Sequence, residues 1–407
     1  MLEIKFKQTE LGEIPEGWEE YLFSEIIEVD PKRELRKGTQ AKFVSMADLK
    51  EFDKKIQGFI TREFKGGSKF VNEDTLMARI TPCLENGKTA FVDILEREET
   101  GSGSTEFIVL AAKEDKTIPE FVYYLAISPE IRTQAIQSMT GTSGRQRVER
   151  DVFDKIVISI PKVSEQRVIA KILSDLDEKI ELNRQMNKTL ESIAQAIFKR
   201  LFMDEDKDAT IGKLGDILDM IESGSRPKGG IDTNLSEGIP SIGAENIDGI
   251  GCYDYSKTRY VPIDFFNTMN RGIVKDYDVL VYKDGAYIGR KSMFGNGFPY
   301  EKCCVNEHVF ILRSNNRVNQ FFLYFLLNQT ELKQLNTNSA QPGLNQESMK
   351  SWCINIPAKI KIDRFGEIVK PLVDGIFYNC NQSRNLSQIR DSLLPRLMAG
   401  KIRIKEV

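Results

Sequence analysis

The stretch from Thr140 to Arg150, TGTSGRQRVER, gathers three arginines, a glutamine and small hydroxyl residues around two glycines. Guanidinium forks match the acceptor edge of guanine, carboxamides match adenine, and hydroxyls reach phosphate oxygens. Thr142, Ser143, Arg145, Gln146 and Arg147 are therefore candidate nucleic-acid contacts. A stretch in the corresponding place later in the chain, SAQPGLNQE, offers Gln341, Asn345 and Gln346. Three further loops have the same chemistry: Arg79, Thr81 and Lys88 in ARITPCLENGK, Ser225, Arg226 and Lys228 in SGSRPKGG, and Lys283, Tyr287, Arg290 and Lys291 in YKDGAYIGRK. Any one of these residues also reads as a solvated surface group. The GTSGRQR loop is the densest of the set.

Catalytic chemistry is hard to find. The 407-residue chain has one histidine, His308, so histidine-based triads and proton shuttles lack their usual parts. No Pro-Pro dipeptide occurs, which removes the Asn/Asp/Ser-Pro-Pro-aromatic signature of adenine methyltransferases, and there is no GxxxxGK[ST] phosphate loop. The six cysteines, Cys83, Cys252, Cys303, Cys304, Cys353 and Cys380, lack zinc-ligand spacing and read as reduced thiols. Cys303 and Cys304, as neighbours on a strand, are expected on opposite faces. The opening MLEIKFKQTE has no apolar run, and the most apolar segment, Phe321 to Leu327, is far shorter than the roughly 20 residues of a membrane span. The expectation is a non-catalytic cytoplasmic protein with no metal. A net charge of −3 argues against bulk electrostatic binding to DNA. Basic groups would have to be local, or partner subunits would have to supply phosphate contacts.

The elements that must position these loops are written twice. Shifted by 196 positions, Ile156 to Phe202 lies on Trp352 to Met398 without a gap. Identical pairs include Ile160/Ile356, Pro161/Pro357, Ile180/Ile376, Asn183/Asn379, Leu190/Leu386 and Arg200/Arg396. Each copy opens with a short strand ending in Ile-Pro and continues as a long helix. Seam positions alternate in steps of four and three, the heptad period: Ile169, Leu173, Leu176, Ile180, then Asn183, Asn187, and on through Leu190, Ala194, Ile197 and Leu201. The second copy gives Phe365, Val369, Leu372, Ile376, then Asn379, Ser383, and on through Leu386, Arg390, Leu393 and Leu397. Both seams turn polar at the same place, and such a layer fixes register and orientation at some expense of stability. Repeats facing one another pair antiparallel. A helix of about 39 residues is a rod of roughly 58 Å, the size of a spacer. Pro371 and Pro395 predict a kink or a late start in the second helix, and Gly400 predicts its end.

Between the helices lie two blocks of short strands punctuated by Gly, Pro and Asn. Each carries an aromatic helical stretch, FVYYLAI (Phe121 to Ile127) and FFLYFLL (Phe321 to Leu327), better read as core than as a base-stacking platform. The fold class is therefore α+β: two pseudo-symmetric mixed α/β domains separated by two long antiparallel coiled-coil helices. The boundaries are 1–160, a helix over 161–203, an acidic linker over 204–211, a second domain over 212–357 and a second helix over 358–407.

Taken together, LGEIPEGWEEYLFSEI, LMARITPCLENGKTAF, GTSGRQRV, SEQRVIAKILSDLDEKIELNRQMNKTLESIAQAIFKRLF, IGKLGDILDMIESGSRPKGG, IPSIGAENI, GAYIGR and RDSLLPRLMAGKI resemble, in this order, the specificity subunit of type I restriction–modification systems. The resemblance covers essentially the whole chain. It implies two target-recognition domains, each reading one part of a split double-stranded DNA site, with the helices as ruler. It also implies two adenine-N6 methyltransferase subunits docked on the helices, with restriction and translocase subunits as further partners. S-adenosylmethionine, ATP and Mg would belong to those partners, and this chain would need no cofactor. One departure is that Glu165-Gln166-Arg167 becomes Lys361-Ile362-Asp363 in the second copy, which puts the equivalence of the two helix starts in question. Two other readings stay open: a specificity subunit of a two-component type II system, and a coiled-coil DNA adaptor without sequence preference. If the helices act as a ruler, inserting four residues, about one turn, into the first should change the spacing between the two recognised half-sites and leave both half-sites unchanged. Mapping the methylated sequence checks this; an unaltered spacing would count against it.

Overall fold

The computed structural model describes residues 6–9, 12–203, 209–232, 235–335 and 343–402. The chain forms two compact units, one made of residues 1–181 with 385–407, the other of residues 182–384. The first unit is assembled from both ends of the chain, the second is one continuous stretch, and each is built around the same plan.

In the first unit, strands β1 (Ile27–Val29), β2 (Thr75–Ala78), β3 (Thr89–Phe91) and β4 (Phe107–Ala112) form an antiparallel sheet in the order β1-β4-β2-β3. Side chains on β4 divide with the period of two that a strand imposes. Ile108 and Leu110 enter a core with helix α1 (Pro119–Ile127), while Phe107 and Val109 enter a second core with Val44 and Phe70 of a smaller four-stranded sheet. A strand covered on both faces must be apolar at every position, which explains the run FIVLA. Helix α1 is the FVYYLAI stretch. All seven of its residues from Phe121 to Ile127 are buried, as core packing requires.

The second unit repeats this arrangement. Strands β5 (Leu218–Ser223), β6 (Gly249–Ile250), β7 (Val279–Tyr282), β8 (Lys291–Met293) and β9 (Val309–Ser314) order as β5-β9-β7-β8-β6. The first four places match those of the first unit, and β6 adds a parallel edge strand. Helix α3 (Gln320–Asn328) is the FFLYFLL counterpart of α1 and is likewise core. Cys303 joins the main core while the Sγ of Cys304 turns toward the Pro240 carbonyl at 3.7 Å, so the neighbours do face different surroundings. All six cysteines are free thiols.

The long helices are α2 (Val163–Phe202) and α4 (Lys359–Met398), 40 residues each. Their ends coincide under the 196-residue shift, so the late start expected from Pro371 does not occur, and the helix runs unbroken through both prolines. Pro371 lies on the exposed side, where water can satisfy the Glu367 carbonyl that the ring leaves without a donor. Beyond Met398 the amides of Gly400 and Lys401 return to the carbonyls of Leu397 and Arg396 at 3.1 and 2.8 Å, closing the helix as expected.

Within the second unit the two helices pair antiparallel. Asn183 donates to Gln382 Oε1 at 2.9 Å and Ser383 Oγ at 3.1 Å, and Asn379 donates to Asn187 Oδ1 at 2.9 Å. Leu190 lies beside Gly375, so the partner's number falls as the first rises. The four polar seam residues Asn183, Asn187, Asn379 and Ser383 thus meet in one layer. Ala194 and Phe198 from α2 complete the core, with the Phe198 ring 5.7 Å from Phe322 and 5.5 Å from Phe365. The first unit is closed in the reciprocal way. Leu394, Leu397 and Met398 from the end of α4 join the core of Trp18, Phe23, Ile169 and Leu173.

The divergent helix starts have a physical account. In the first unit the buried Gln166 side chain accepts from the Ile118 amide and donates to the Lys116 and Pro161 carbonyls, pinning α2 to the start of α1. In the second unit the counterpart Ile362 is fully apolar core, and the polar link moves to the short helix. There Asn319 caps α3 through the Phe322 amide and donates to the Ile362 carbonyl at 2.8 Å. The two starts are equivalent in place and unlike in chemistry.

Residues 249–252 press on α4 in the second unit. Cys380 Sγ donates to the Gly251 carbonyl at 3.1 Å. Gly251 has φ +70°, and a Cβ there would stand 2.6 Å from Ile376 and 2.8 Å from the Cys380 sulfur. Gly251→Val should therefore destabilise this unit by about 1–3 kcal/mol through overpacking and backbone strain. Thermal denaturation checks this, and an unchanged melting temperature would refute the close approach.

Candidate nucleic-acid interface

In the first unit, the loop after β2 and the GTSGRQR loop are joined through the backbone. The Val148 amide donates to the Arg79 carbonyl at 2.8 Å and the Thr81 amide to the Gln146 carbonyl at 3.0 Å. Thr140 and Arg147 exchange two further backbone bonds at 3.0 and 2.8 Å, closing the loop at its base. The tip turns through Gly144, whose φ of +77° suits glycine, and leaves Thr142, Ser143 and Arg145 exposed.

The candidates differ in freedom. Arg147 binds both carboxylate oxygens of Glu106, with contacts of 2.7 to 3.1 Å, and so serves as a staple. This bidentate bond holds the Glu106 carboxyl below its ordinary pKa, against the opposing effect of burial. Lys88 donates to the Met46 carbonyl at 2.9 Å, and the Thr81 hydroxyl leans on the Gln146 carbonyl at 3.3 Å. Gln146 is half-buried. Arg145 points outward from the tip.

Beside this loop lies a concavity of about 670 Å³ whose lining includes Lys32, Arg33, Lys69, Arg79 and Arg150. Its cations are partly neutralised, Arg33 by Asp74 at 2.8 Å and Arg150 by Asp30. The Nε of Arg79 is buried with no hydrogen-bond partner among the described residues. Sequence reading found Arg79 here, counted Arg150 in the arginine-rich stretch without naming it a contact, and missed Lys32, Arg33 and Lys69. They come from separate segments that only the folded sheets bring together, and the basic run PKRELRK was the one available signal.

The second unit assembles its candidates in the same place. The turn after β7 carries Lys283, and the Leu344 amide donates to the Lys283 carbonyl at 2.8 Å, as the GTSGRQR loop docks on Arg79. His308 Nδ1 lies 2.7 Å from Asp284, and Arg226 lies 3.1 Å from Glu307, so the SGSRPKGG loop joins the same rim. Ser225 is half-buried there and Lys228 exposed. Tyr287 is exposed, with the Arg290 guanidinium stacked 4.1 Å over its ring. Lys291 donates inward to the Thr330 carbonyl at 3.1 Å, and burial pulls its ammonium below the ordinary lysine range. The Asn345 side chain caps the short helix Gln346–Ser351, accepting from the Ser348 amide at 2.7 Å. Gln341 lies outside the described residues. Among the described residues no group of three or more His, Cys, Asp or Glu side chains could hold a metal ion.

Two copies of one loop apparatus, carrying different side chains, agree with the comparison to known proteins. Residues 15–192 and again 206–376 match the model for the type I restriction modification DNA specificity domain. The chain belongs to that family. It is 27% identical to the type I restriction enzyme MjaIX specificity subunit of Methanocaldococcus jannaschii, over 100% of this chain and 98% of that one. It is 25% identical to the HindI specificity subunit of Haemophilus influenzae, over 81% of this chain and 86% of that one. A crystal structure of the type I S subunit from M. genitalium shares the fold, with a TM-score of 0.57 at 16% identity, covering 93% of this chain and 96% of that one.

The Glu106 staple makes the loop of residues 140–147 pH-sensitive in a defined direction. Because the folded pKa of Glu106 is depressed, the ion pair is fully formed above the ordinary glutamate value of about 4.3. It is lost only as pH falls through the lower folded value. Amide protection of residues 140–147 should hold down to about pH 4.3 and drop below it, and Glu106→Gln should remove that step. Hydrogen exchange followed across pH measures this; protection that is the same in both proteins would refute the staple.

Proposed function

We propose that this family member reads a bipartite DNA site, each unit's loop rim entering one major groove, and that it has no catalytic activity of its own. The observation that carries the reading is the paired apparatus: loops 79–81 with 140–148, and 283–284 with 343–345, built on equivalent strands and bearing different side chains. Equal scaffolds with unequal tips suit two unlike half-sites. Arg145 then reads a base edge in the first, while the Thr142 and Ser143 hydroxyls and the basic concavity with Arg79 take phosphates. Lys283, Tyr287, Arg290 and Arg226 serve the second. A base pair mismatched to such contacts costs about 1–3 kcal/mol, so neither half-site alone gives useful selectivity.

The long helices, each about 60 Å at 1.5 Å per residue, would set the half-site spacing and dock two methyltransferase subunits. Both helices leave apolar residues exposed at equivalent positions, Leu182 with Tyr378 and Ile193 with Ile389. A face repeated in this way suits one kind of partner bound in two copies. S-adenosylmethionine, ATP and Mg then belong to the methyltransferase and restriction subunits. No helix among the described residues is long and apolar enough to cross a membrane.

Mapping N6-methyladenine across the host genome with and without this gene tests the reading. Loss of one split motif is the expected result. Arg145→Ala should relax one half of that motif and leave the other intact; methylation unaffected by deletion of the gene would refute the function.

A further inference from the structure

The two helices repeat one another, yet the first unit buries an ion pair that the repeat does not predict. Arg390 of α4 donates to Asp177 of α2 at 2.6 Å, and both side chains are only 7% exposed. Asp177 also accepts from the Tyr124 hydroxyl at 2.7 Å, and Arg390 reaches the Phe52 carbonyl at 3.2 Å and the exposed carboxylate of its neighbour Asp391 at 2.8 Å. Lys54 lies nearby, donating to Ser174 at 2.7 Å. Under the 196-residue shift, Asp177 corresponds to Val373 and Arg390 to Ala194. Those two residues are fully buried in the apolar core of the second unit. Equivalent places on the two helices are therefore ionic in one unit and apolar in the other.

Consider the pairings that this seam would otherwise allow. Two first halves paired in the same antiparallel register would set Asp177 of one copy against Ala194 of the other. Two second halves would set Arg390 against Val373. Each like-with-like pairing takes away the buried counter-charge, leaving Asp177 with a tyrosine hydroxyl and Arg390 with only the exposed Asp391, whereas the unlike pairing satisfies both. Removing one member of a buried ion pair is far more damaging than replacing both by apolar groups. The polar layer cannot discriminate in this way, because Asn183 and Asn187 have near-identical counterparts in Asn379 and Ser383.

We infer that Asp177 and Arg390 are the pairing code of this chain: they make the first half accept the second half and refuse a second copy of itself. On the reading given under Proposed function, this keeps the two recognition heads unlike and the DNA site asymmetric. The pairing itself can be tested without DNA.

The test uses full-length chains carrying Asp177→Val, Arg390→Ala, or both. Each single variant leaves one buried charge without its buried partner within its own chain. When the two single variants are co-expressed with different tags, exchanging halves between chains resolves both sites. One junction then holds Val with Ala, as the second unit does, and the other holds Asp177 with Arg390. The expected result is a two-chain species by light scattering, with the two tags co-purifying on the order of tenfold more than two tagged wild-type copies, the factor given by about 1.4 kcal/mol. Each single variant alone should melt below wild type, and the double variant within one chain should melt close to it. Co-purification no greater than for wild type would overturn the code. So would single variants that melt like wild type, or a double variant that fails to fold. If the single variants are insoluble alone, recovery of soluble two-chain protein on co-expression supports the code and continued insolubility overturns it. Asymmetric methylation could persist through any of these failures, so the function and the pairing code stand or fall separately.

Discussion

Each recognition unit is completed by helix residues from the other repeat, and the rest of the structure depends on that exchange. The first unit lacks a finished core until Leu394, Leu397 and Met398 arrive from nearly 400 residues into the chain. The second is unfinished without Ala194 and Phe198. Burying a leucine- or phenylalanine-sized side chain contributes roughly 1.5–3 kcal/mol. Withdrawing either helix end would therefore remove a large share of the marginal stability of a domain. The helices are part of both cores as well as connectors between sequence blocks.

Duplication supplies the plan, and divergence supplies the chemistry. The strand order, the aromatic short helix and the docking of a late loop on the strand-end turn all recur between the units. What differs is where polar bonds are placed. Gln166 anchors the first long helix from its own side chain, whereas Asn319 does the same work from the short helix in the second unit. The second unit also ties its head to α4 with Tyr277 and Asn296 on Asp374, and with Arg384 stacked over Tyr255 and Tyr300. A conserved apolar frame tolerates such substitutions because each buried polar group needs a partner, and the partner need not come from any particular element.

The helices were legible in the sequence because a heptad period is a local signal, and so were α1 and α3, whose apolar runs admit few other readings. The helix start at Lys359 was obscured by Pro371, since a proline signals a break unless its exposed position is known. The loop candidates were legible as chemistry and not as roles. Arg147 and Arg145 look alike in GTSGRQR, and only Glu106, some 40 residues away, distinguishes the staple from the free side chain. Asn345 resembles an adenine reader until its capping bond to Ser348 is seen. Arg390 stood among the seam positions of the second helix; its match, Asp177, lies outside the seam frame on the other helix, where no local pattern could mark it.

The pairing of so many cations with nearby carboxylates has a kinetic corollary for a protein that must find rare sites. Arg147, Arg150, Arg33 and Arg226 are each already neutralised in the free molecule. Such a surface releases few counterions from random duplex, so idle contacts with the wrong sequence are short-lived and depend only shallowly on ionic strength. On the proposed reading, dwell time would come mainly from groups that remain unspent, Arg145 among them, engaging fully where the bases match. An acidic chain can thus sample a genome quickly without being trapped on it.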